Sequence, residues 1–373
     1  MNPFSYGTIV TEPYFFNRVE EKDKIVKTLK GGNNLVLYAP RRFGKTSLIV
    51  KAMKELENAG YFCVYFDFMT VYSKESFIKS YSRALFEKQG NLKKILRLFS
   101  EYVKGIKPVL SYGENGKPEI SFTFSEMSIS DDMLGKVIDL PEKLALKSKP
   151  YIMIMDEFQD IQKLNGENFE NLLRSHIQHH QNVHYLFLGS RTHLLMEMFT
   201  RSNRPFYNSA SVMGLGPLPK HETIEFLMRR FSESGIQIDK ETSEYLMHKA
   251  GNIPYYIQFL ASEIWQSVID SGKKVDHEMI DESFDKVIDL KNDYYFEMYD
   301  RLSRYQKKLL HALAQEGRNI FSREYALKYH LSATSTTQKA MNGLIENGLI
   351  EKQENEYIFS DPFFRQYILR LPA

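Results

Sequence analysis

The chain has 373 residues, of which 43% are hydrophobic and 26% are charged, and its formal net charge is +2. This length is enough for two or three domains with buried cores. The near-balanced charge gives no general argument for a nucleic acid, an acidic substrate or a membrane surface as partner. The single cysteine, Cys63, excludes an internal disulfide, and its place in the apolar run 61–66 predicts a buried, inert thiol.

The N-terminal residues lack the basic segment and apolar core of a signal peptide. No apolar run approaches the length of a membrane span. We therefore expect a cytoplasmic protein without a membrane partner.

The first two-thirds of the chain alternates apolar runs with helix-like segments, a pattern typical of a parallel α/β sheet. The apolar runs are nearly continuous, as strands covered on both faces require. Strands are predicted at residues 35–38, 62–66, 151–155 and 185–188. Helices are predicted at residues 20–29, 46–59, 74–89, 132–146 and 168–179.

A phosphate-loop pattern occupies residues 39–46, directly after the first predicted strand. A strand, a tight loop and a Gly-Lys-Thr that opens a helix hold a nucleoside triphosphate through loop N–H groups and the helix dipole. Lys45 is expected to reach the β- and γ-phosphates, and the Thr46 hydroxyl to ligate Mg²⁺. Ala39 occupies the position at which this pattern usually has its first glycine. The backbone at Ala39 must therefore have a negative φ. The candidate nucleotide-binding residues of this segment are Pro40, Arg41, Arg42, Phe43, Gly44, Lys45, Thr46 and Ser47.

Two alternating segments at about residues 108–124 flank an Asn-Gly turn and predict a β-hairpin. The hairpin falls between the second and third predicted core strands. We expect an insertion that projects from the domain, either as a contact surface or without a role of its own.

The third core strand ends in two carboxylates, Asp156 and Glu157. Open α/β sheets bind ligands at this end of their strands. Asp156 is predicted to hold Mg²⁺ through its water shell, and Glu157 to orient and activate the water that attacks the γ-phosphate. Asp67 and Asp160 also lie near strand ends, and structural or solvated roles are predicted for both.

The fourth core strand ends at Ser190, a candidate sensor of the γ-phosphate and a candidate catalytic residue with Lys45, Asp156 and Glu157. Arg191 fits a phosphate contact and a surface ion pair equally well. The loop arginines could face the nucleotide, a neighbouring domain or a partner subunit, and a solvated role for one of them is favoured.

After the glycine- and proline-rich joint at residues 213–219 the strand pattern stops. Helices are predicted at residues 220–234, 240–250, 254–271 and 277–289, and they form a small helical domain. Helices at residues 302–314, 322–329 and 335–347, followed by short strands at 349–352 and 356–359, predict a winged helix.

Together these residues resemble the archaeal-type ATPases of the STAND class, in the AAA+ branch of P-loop NTPases. Pro40–Thr46 match the Pro-Arg-Arg-x-Gly-Lys-Thr loop of that class, and Asp156–Gln159 match its Asp-Glu-Phe-Gln strand end. An adenine box is matched loosely around Arg18, where Asn17 replaces a glycine, and a lid turn is matched by Gly251 to Pro254. The resemblance implies that Arg18 and Pro254 lie near the bound nucleotide.

The resemblance implies an α/β fold: a parallel P-loop NTPase sheet core of the AAA+ type at residues 1–215, a helical lid at 216–292 and a winged-helix domain at 293–373. It also implies ATP or ADP and Mg²⁺ as cofactors, with Thr46 and Asp156 as metal ligands. No arginine finger or lid arginine is evident, which favours a slow nucleotide switch over a processive motor. No Asn-Lys-x-Asp motif occurs, so adenine is favoured over guanine.

Residues 301–373 carry eleven Lys and Arg against seven Asp and Glu, a net charge of +4. The third winged-helix helix offers hydroxyls, amides and one lysine that could read base edges. One lysine is a thin basis for phosphate neutralisation, which dominates affinity for DNA. Three hypotheses therefore stand: an ATP-hydrolysing switch, which is favoured; a nucleotide-regulated DNA-binding protein; and a scaffold that binds a protein partner or self-associates.

Overall fold

The computed structural model describes residues 2–9, 14–15, 18–87, 92–112, 118–125, 129–145, 149–164, 167–269, 274–353 and 356–372. The chain divides into two compact units. We call one the sheet unit, which comprises Arg18–Ala39 and Leu48–Gly216. The other is the helical unit, which comprises Met1–Asn17, Pro40–Ser47 and Pro217–Ala373.

The described strands of the sheet unit are β1 (Leu35–Tyr38), β2 (Phe62–Asp67), β3 (Ile106–Tyr112), β4 (Pro118–Phe124), β5 (Tyr151–Asp156), β6 (Val183–Gly189) and β7 (Ser211–Gly214). Five of these described strands form a parallel sheet in the order β2-β5-β6-β1-β7. This confirms the predicted parallel α/β core. The register places Asp67 opposite Asp156 and Tyr38 opposite Gly189, so the carboxyl ends of these strands meet at one edge.

Helices and short 3-10 turns connect the strands of the sheet unit. The helices are α1 (Val19–Lys30), α2 (Lys45–Asn58), α3 (Lys74–Glu87), α4 (Leu92–Tyr102), α5 (Asp131–Ile138), α6 (Leu140–Ala145), α7 (Glu167–Ile177) and α8 (Thr192–Thr200), and the 3-10 turns are Phe68–Thr70 and Phe158–Lys163. The central strands of the sheet are largely buried. All six residues of β5 are buried, and Cys63 on β2 is buried as predicted. Helices α4 and α8 and strand β7 were not predicted from the sequence.

The β3–β4 hairpin is antiparallel, as predicted, and its turn lies outside the described residues. One face of the hairpin is part of the core, because Ile106, Ile120 and Phe122 are buried. The Phe122 ring lies 5.6 Å from that of Phe99 on α4 and 6.4 Å from that of Phe86 on α3. The expectation that the hairpin projects from the domain is therefore wrong for this face, since its alternating apolar side chains pack on helices.

The helical unit confirms the predicted helices and the winged helix. Its elements are α9 (Lys220–Ser232), α10 (Lys240–Lys249), α11 (Pro254–Val268), α12 (His277–Leu290), α13 (Asn292–Asp300), α14 (Arg304–Gln315), α15 (Arg323–Lys328), α16 (Thr334–Glu346), β8 (Ile350–Gln353), β9 (Glu356–Phe359) and α17 (Pro362–Arg370). Asp239, Asp276 and Ser303 cap helix N-termini with their side chains, which supplies acceptors for otherwise unpaired N–H groups. Among the described residues, no helix combines the length and the apolar character needed to cross a membrane.

Candidate nucleotide site

The phosphate-loop segment links β1 to α2. Gly44 has a φ of +81° and Arg42 a φ of +72°, both in the left-handed region. Glycine meets no steric penalty there, whereas a side-chain residue costs about 1–2 kcal/mol. Ala39 does not have a positive φ, as predicted from the sequence. Lys45 is the first residue of α2 and is buried, so the loop delivers its lysine at a helix N-terminus.

Arg42 is held by contacts inside the helical unit. Its guanidinium lies 3.5 Å from the Asp361 carboxylate, between Arg42 Nη1 and Asp361 Oδ2. It also lies over the rings of Tyr255 and Tyr256, at 5.4 and 4.9 Å from their centroids. The Tyr255 backbone N–H donates to the Arg42 carbonyl at 3.3 Å. These contacts account for a left-handed arginine, because the surrounding structure fixes its backbone and its side chain together.

Asp361 joins three parts of the helical unit. Its Oδ1 accepts the backbone N–H groups of Phe363 and Phe364 and thereby caps α17. Its Oδ2 accepts the Tyr295 hydroxyl of α13 at 3.2 Å. Burial, and then the Asp361 charge, raise the pKa of Tyr295 far above its ordinary value. The neutral phenol is therefore a stable donor to this carboxylate.

Two further ionisable groups lie near this cluster. Burial lowers the pKa of Lys291, against the raising effect of the Asp361 charge, and the positive charge of Arg42 lowers it further. Burial raises the pKa of Glu351 on β8 to about 7, against the lowering effects of the nearby Ser360 hydroxyl and of the charges of Arg42 and Arg41. Arg41 itself is exposed. Arg42 is in part exposed as well, and it differs from Arg41 in its contacts with Asp361 and with the rings of Tyr255 and Tyr256.

The carboxyl edge of the sheet carries the predicted acidic pair. Asp156 ends β5 and is buried. The Tyr65 hydroxyl of β2 donates to Asp156 Oδ2, and the Glu157 backbone N–H donates to Asp156 Oδ1 at 2.8 Å. Burial, followed by the Asp156 charge, raises the pKa of Tyr65. Tyr65 was missed from the sequence, because only the register of β2 against β5 brings it to this carboxylate.

Glu157 adopts the left-handed region, with φ 46° and ψ 42°. Its Oε2 accepts the Ser190 backbone N–H at 3.2 Å and the Ser190 hydroxyl at 2.8 Å. Gln159 Nε2 donates to the same oxygen at 2.5 Å. The structure therefore brings together Glu157 and Ser190, which were both predicted as site residues, and adds Gln159.

The remaining carboxylates of this edge have structural partners. Asp67 accepts the Met69 backbone N–H at 2.8 Å and so caps the 3-10 turn that follows β2. Burial raises the pKa of Asp67, and the charges of Asp156 and Glu157 raise it further. Asp160 pairs with Lys163 at 2.6 Å. These contacts agree with the structural roles predicted for Asp67 and Asp160, while Arg191 is exposed.

Arg18 and Pro254, the two residues implied by the resemblance, lie at the starts of helices. Arg18 is buried at the start of α1, where Nη1 pairs with Glu21 at 2.7 Å and Nη2 donates to the Gly216 carbonyl at 2.6 Å. Phe16 and Asn17, the first residues of the predicted adenine box, lie outside the described residues. Pro254 is the first residue of α11, directly after a turn in which Gly251 and Asn252 have φ values of 63° and 57°.

Helix α16, the predicted base-reading helix, exposes Gln338, Lys339 and Asn342. Thr337 is buried, and its hydroxyl is hydrogen bonded to the Tyr305 hydroxyl at 2.7 Å. Thr337 was among the hydroxyls predicted to be able to read base edges, and its burial removes it from that set. In the part of the chain that the structure describes, no group of three or more His, Cys, Asp or Glu side chains could hold a metal ion by itself.

Comparisons with known proteins agree with this architecture. A family described as an ATPase domain predominantly from Archaea matches residues 15–260, and a probable winged helix domain matches residues 293–370. No curated protein matches the chain significantly. A Walker-type ATPase of Pyrococcus abyssi superposes with a TM-score of 0.66 at 20% identity, over 99% of this chain and 100% of its own. The Aeropyrum pernix ORC2 protein, solved as ADPNP–ADP complexes, gives 0.57 at 13% identity, over 98% of both chains.

Proposed function

Because the chain belongs to the family of ATPase domains found predominantly in Archaea, we propose that it is an ATP-binding, slowly ATP-hydrolysing switch of the STAND type. In this proposal the nucleotide state repositions the lid, residues 216–292, and the winged helix, residues 293–373. The nucleotide is ATP or ADP. A protein partner or a second copy of the chain receives the signal.

The observation that carries this proposal is the ion pair between Arg42 and Asp361. Arg42 belongs to the phosphate loop, and Asp361 caps the last helix of the winged-helix region. A phosphate loop changes its backbone contacts and its local charge when it binds a triphosphate. A change at Arg42 would therefore act directly on Asp361 and on the helix that it caps.

Lys45, Thr46 and Asp156 bind the phosphates and the metal in this proposal. Lys45 neutralises the β- and γ-phosphates at the N-terminus of α2, where the helix dipole also favours negative charge. Thr46 and Asp156 supply the hydroxyl and carboxylate oxygens that suit Mg²⁺, whose other ligands are commonly waters and phosphate oxygens. When bound, the metal would neutralise charge that develops on the transferred phosphoryl group.

Glu157 is the group that orients and activates the attacking water. Its carboxylate is fixed by Ser190, and a fixed base within reach of its proton contributes roughly 10²–10⁴-fold to rate. Ser190 has a hydroxyl that can also donate to a phosphate oxygen. Hydrolysis is expected to be slow, because no arginine finger is evident in the sequence.

Steady-state ATP turnover and equilibrium binding of a fluorescent ATP analogue test the proposal. Lys45→Ala should lose binding and turnover together. Glu157→Gln should retain binding and lose roughly 100-fold or more in kcat, as expected for removal of a general base. Unaltered protein that neither binds nor hydrolyses nucleotide would contradict the proposal. Light scattering with ADP and with ATP distinguishes a monomeric switch from one that self-associates.

DNA binding through the winged helix is a second candidate, favoured by the net charge of +4 over residues 301–373 and by exposed Lys339 on α16. Because counterion release makes DNA affinity salt-dependent, fluorescence anisotropy with a labelled duplex over a salt series decides it. Salt-sensitive binding that depends on Lys339 supports this candidate. No binding at low salt removes it.

A further inference from the structure

Gln159 is hydrogen bonded to the Glu157 carboxylate but has no role in the function proposed so far. It lies in the 3-10 turn Phe158–Lys163 and is 3% exposed. Its Nε2 donates to Glu157 Oε2. Its Oε1 is buried and has no hydrogen-bond partner among the described residues. An unsatisfied buried carbonyl oxygen destabilises the folded chain, so stability alone does not explain this glutamine.

The orientation of the amide follows from the carboxylate. Reversing the amide would place Oε1 against Glu157 Oε2, two acceptors facing each other, and would lose the 2.5 Å bond. Space for the other end is provided by Gly189, because a Cβ at that position would overlap Gln159 Oε1. The fold therefore keeps the amide nitrogen hydrogen bonded to Glu157 and leaves the amide oxygen without a hydrogen bond.

We propose that Gln159 is a positioning residue for ATP hydrolysis, which locks the Glu157 carboxylate through Oε2. This inference rests on the function proposed above. Both donors of Ser190 share the same oxygen with Gln159. If the Ser190 hydroxyl turns to a phosphate oxygen of bound ATP, the Gln159 amide still holds Glu157 Oε2. The base then keeps its place at the step at which its position matters.

Gln159→Met tests this role, because methionine has a similar length and flexibility but lacks an N–H donor. The variant should bind the fluorescent ATP analogue within twofold of the unaltered protein and lose tenfold or more in kcat. Gln162→Met is the matched control, since Gln162 lies in the same turn and is exposed. It should leave both quantities unchanged.

The Glu157→Gln background separates positioning from a structural effect. If Gln159 acts through the Glu157 carboxylate, Gln159→Met should lower kcat much less in that background than in the unaltered protein. An equal fold-loss in both backgrounds would contradict the inference. Should Gln159→Met lower the melting temperature, kcat is compared at a temperature well below the unfolding transitions of both proteins, where loss of folded protein does not contribute.

The outcomes distinguish this inference from the function on which it rests. Unaltered protein without nucleotide turnover overturns the proposed function and this inference with it. Normal turnover in the unaltered protein and an unchanged kcat in Gln159→Met overturn this inference alone. Both are supported if Gln159→Met lowers kcat but retains nucleotide affinity, and if this loss of kcat disappears in the Glu157→Gln background.

Discussion

Arg42 and Asp361 are 319 positions apart in the sequence, and their side chains form an ion pair at 3.5 Å. The Asp361 side chain is 9% exposed and that of Arg42 is 36% exposed. The carboxylate is therefore largely desolvated while the guanidinium retains contact with water. Tyr295 and the N-terminus of α17 supply the remaining donors to Asp361, so a charge that would be costly to bury alone is fully engaged.

The two roles of Asp361 should separate in two substitutions. Asp361→Asn keeps an acceptor for the N-cap of α17 but removes the charge that faces Arg42, and it should destabilise the folded chain by about 1–3 kcal/mol. Asp361→Ala also removes the cap and should cost about 1 kcal/mol more. Urea denaturation measures both. In an Arg42→Ala background the cost of Asp361→Asn should fall, whereas additive costs would show that the ion pair is not coupled.

Gly189→Ala should destabilise the protein, because Gly189 packs closely against Gln159, the residue that is hydrogen bonded to Glu157. A Cβ at this position overlaps Gln159 Oε1 and lies 3.0 Å from Leu195 Cδ2. We expect a loss of about 1–3 kcal/mol in the free energy of unfolding, as for overpacked cores. Gly216→Ala is the control, because nothing lies within 4 Å of a Cβ there. An equal effect of the two substitutions would contradict this packing argument.

The sequence predicted the strands of the sheet and the helices of residues 220–289 because their signals are local. Near-continuous apolar runs such as β5 require cover on both faces, and Gly44-Lys45-Thr46 marks a loop and a helix start. Helix α8 was missed because Arg191, the residue at its N-cap, is not a capping type. Helix α4 was missed although Asn91, a preferred capping residue, directly precedes it in the sequence. Strand β7 was missed because its pattern is short and its residues are mostly exposed.

The candidate site was predictable only in part, for a related reason. Residues within one motif, such as Asp156 and Glu157, are brought to the sheet edge by the strand that precedes them. The contacts of Tyr65 with Asp156, and of Arg42 with Asp361, depend on strand order and on long-range packing. No local pattern encodes either. Gln159 belongs to the Asp-Glu-Phe-Gln motif, but its hydrogen bond to Glu157 depends on the conformation of the 3-10 turn, which the motif alone does not predict.

Glu351 should make stability depend on pH. Burial raises its pKa from 4.5 to about 7, so between these values the folded chain binds more protons than the unfolded chain. Stability therefore falls as pH rises through this window and stays lower above it. Glu351→Gln should be more stable than the unaltered protein above pH 7, by at most about 3 kcal/mol, and no more stable near pH 4.5.

Melting temperatures between pH 5 and 8 check the Glu351 prediction. The difference between Glu351→Gln and the unaltered protein should grow as pH rises. Glu346→Gln serves as control, because Glu346 is exposed on α16 and should leave the pH profile of the melting temperature unchanged. A constant offset between the Glu351→Gln and unaltered profiles would show that Glu351 does not titrate in this window.

The ion pair of Glu170 and Arg204 should be sensitive to the loss of one partner, because it is buried. The Glu170 side chain is 0% exposed and that of Arg204 is 12% exposed. Glu170→Leu removes a buried carboxylate that pairs with Arg204 and should cost about 3–5 kcal/mol, whereas the double variant with Arg204→Met should recover much of this loss. The pair of Arg201 with Glu197 is 63% and 31% exposed, so Glu197→Leu should cost less than about 1 kcal/mol. Guanidinium denaturation of the four proteins measures these differences, and similar losses for the buried and the exposed pair would mean that burial does not set the cost.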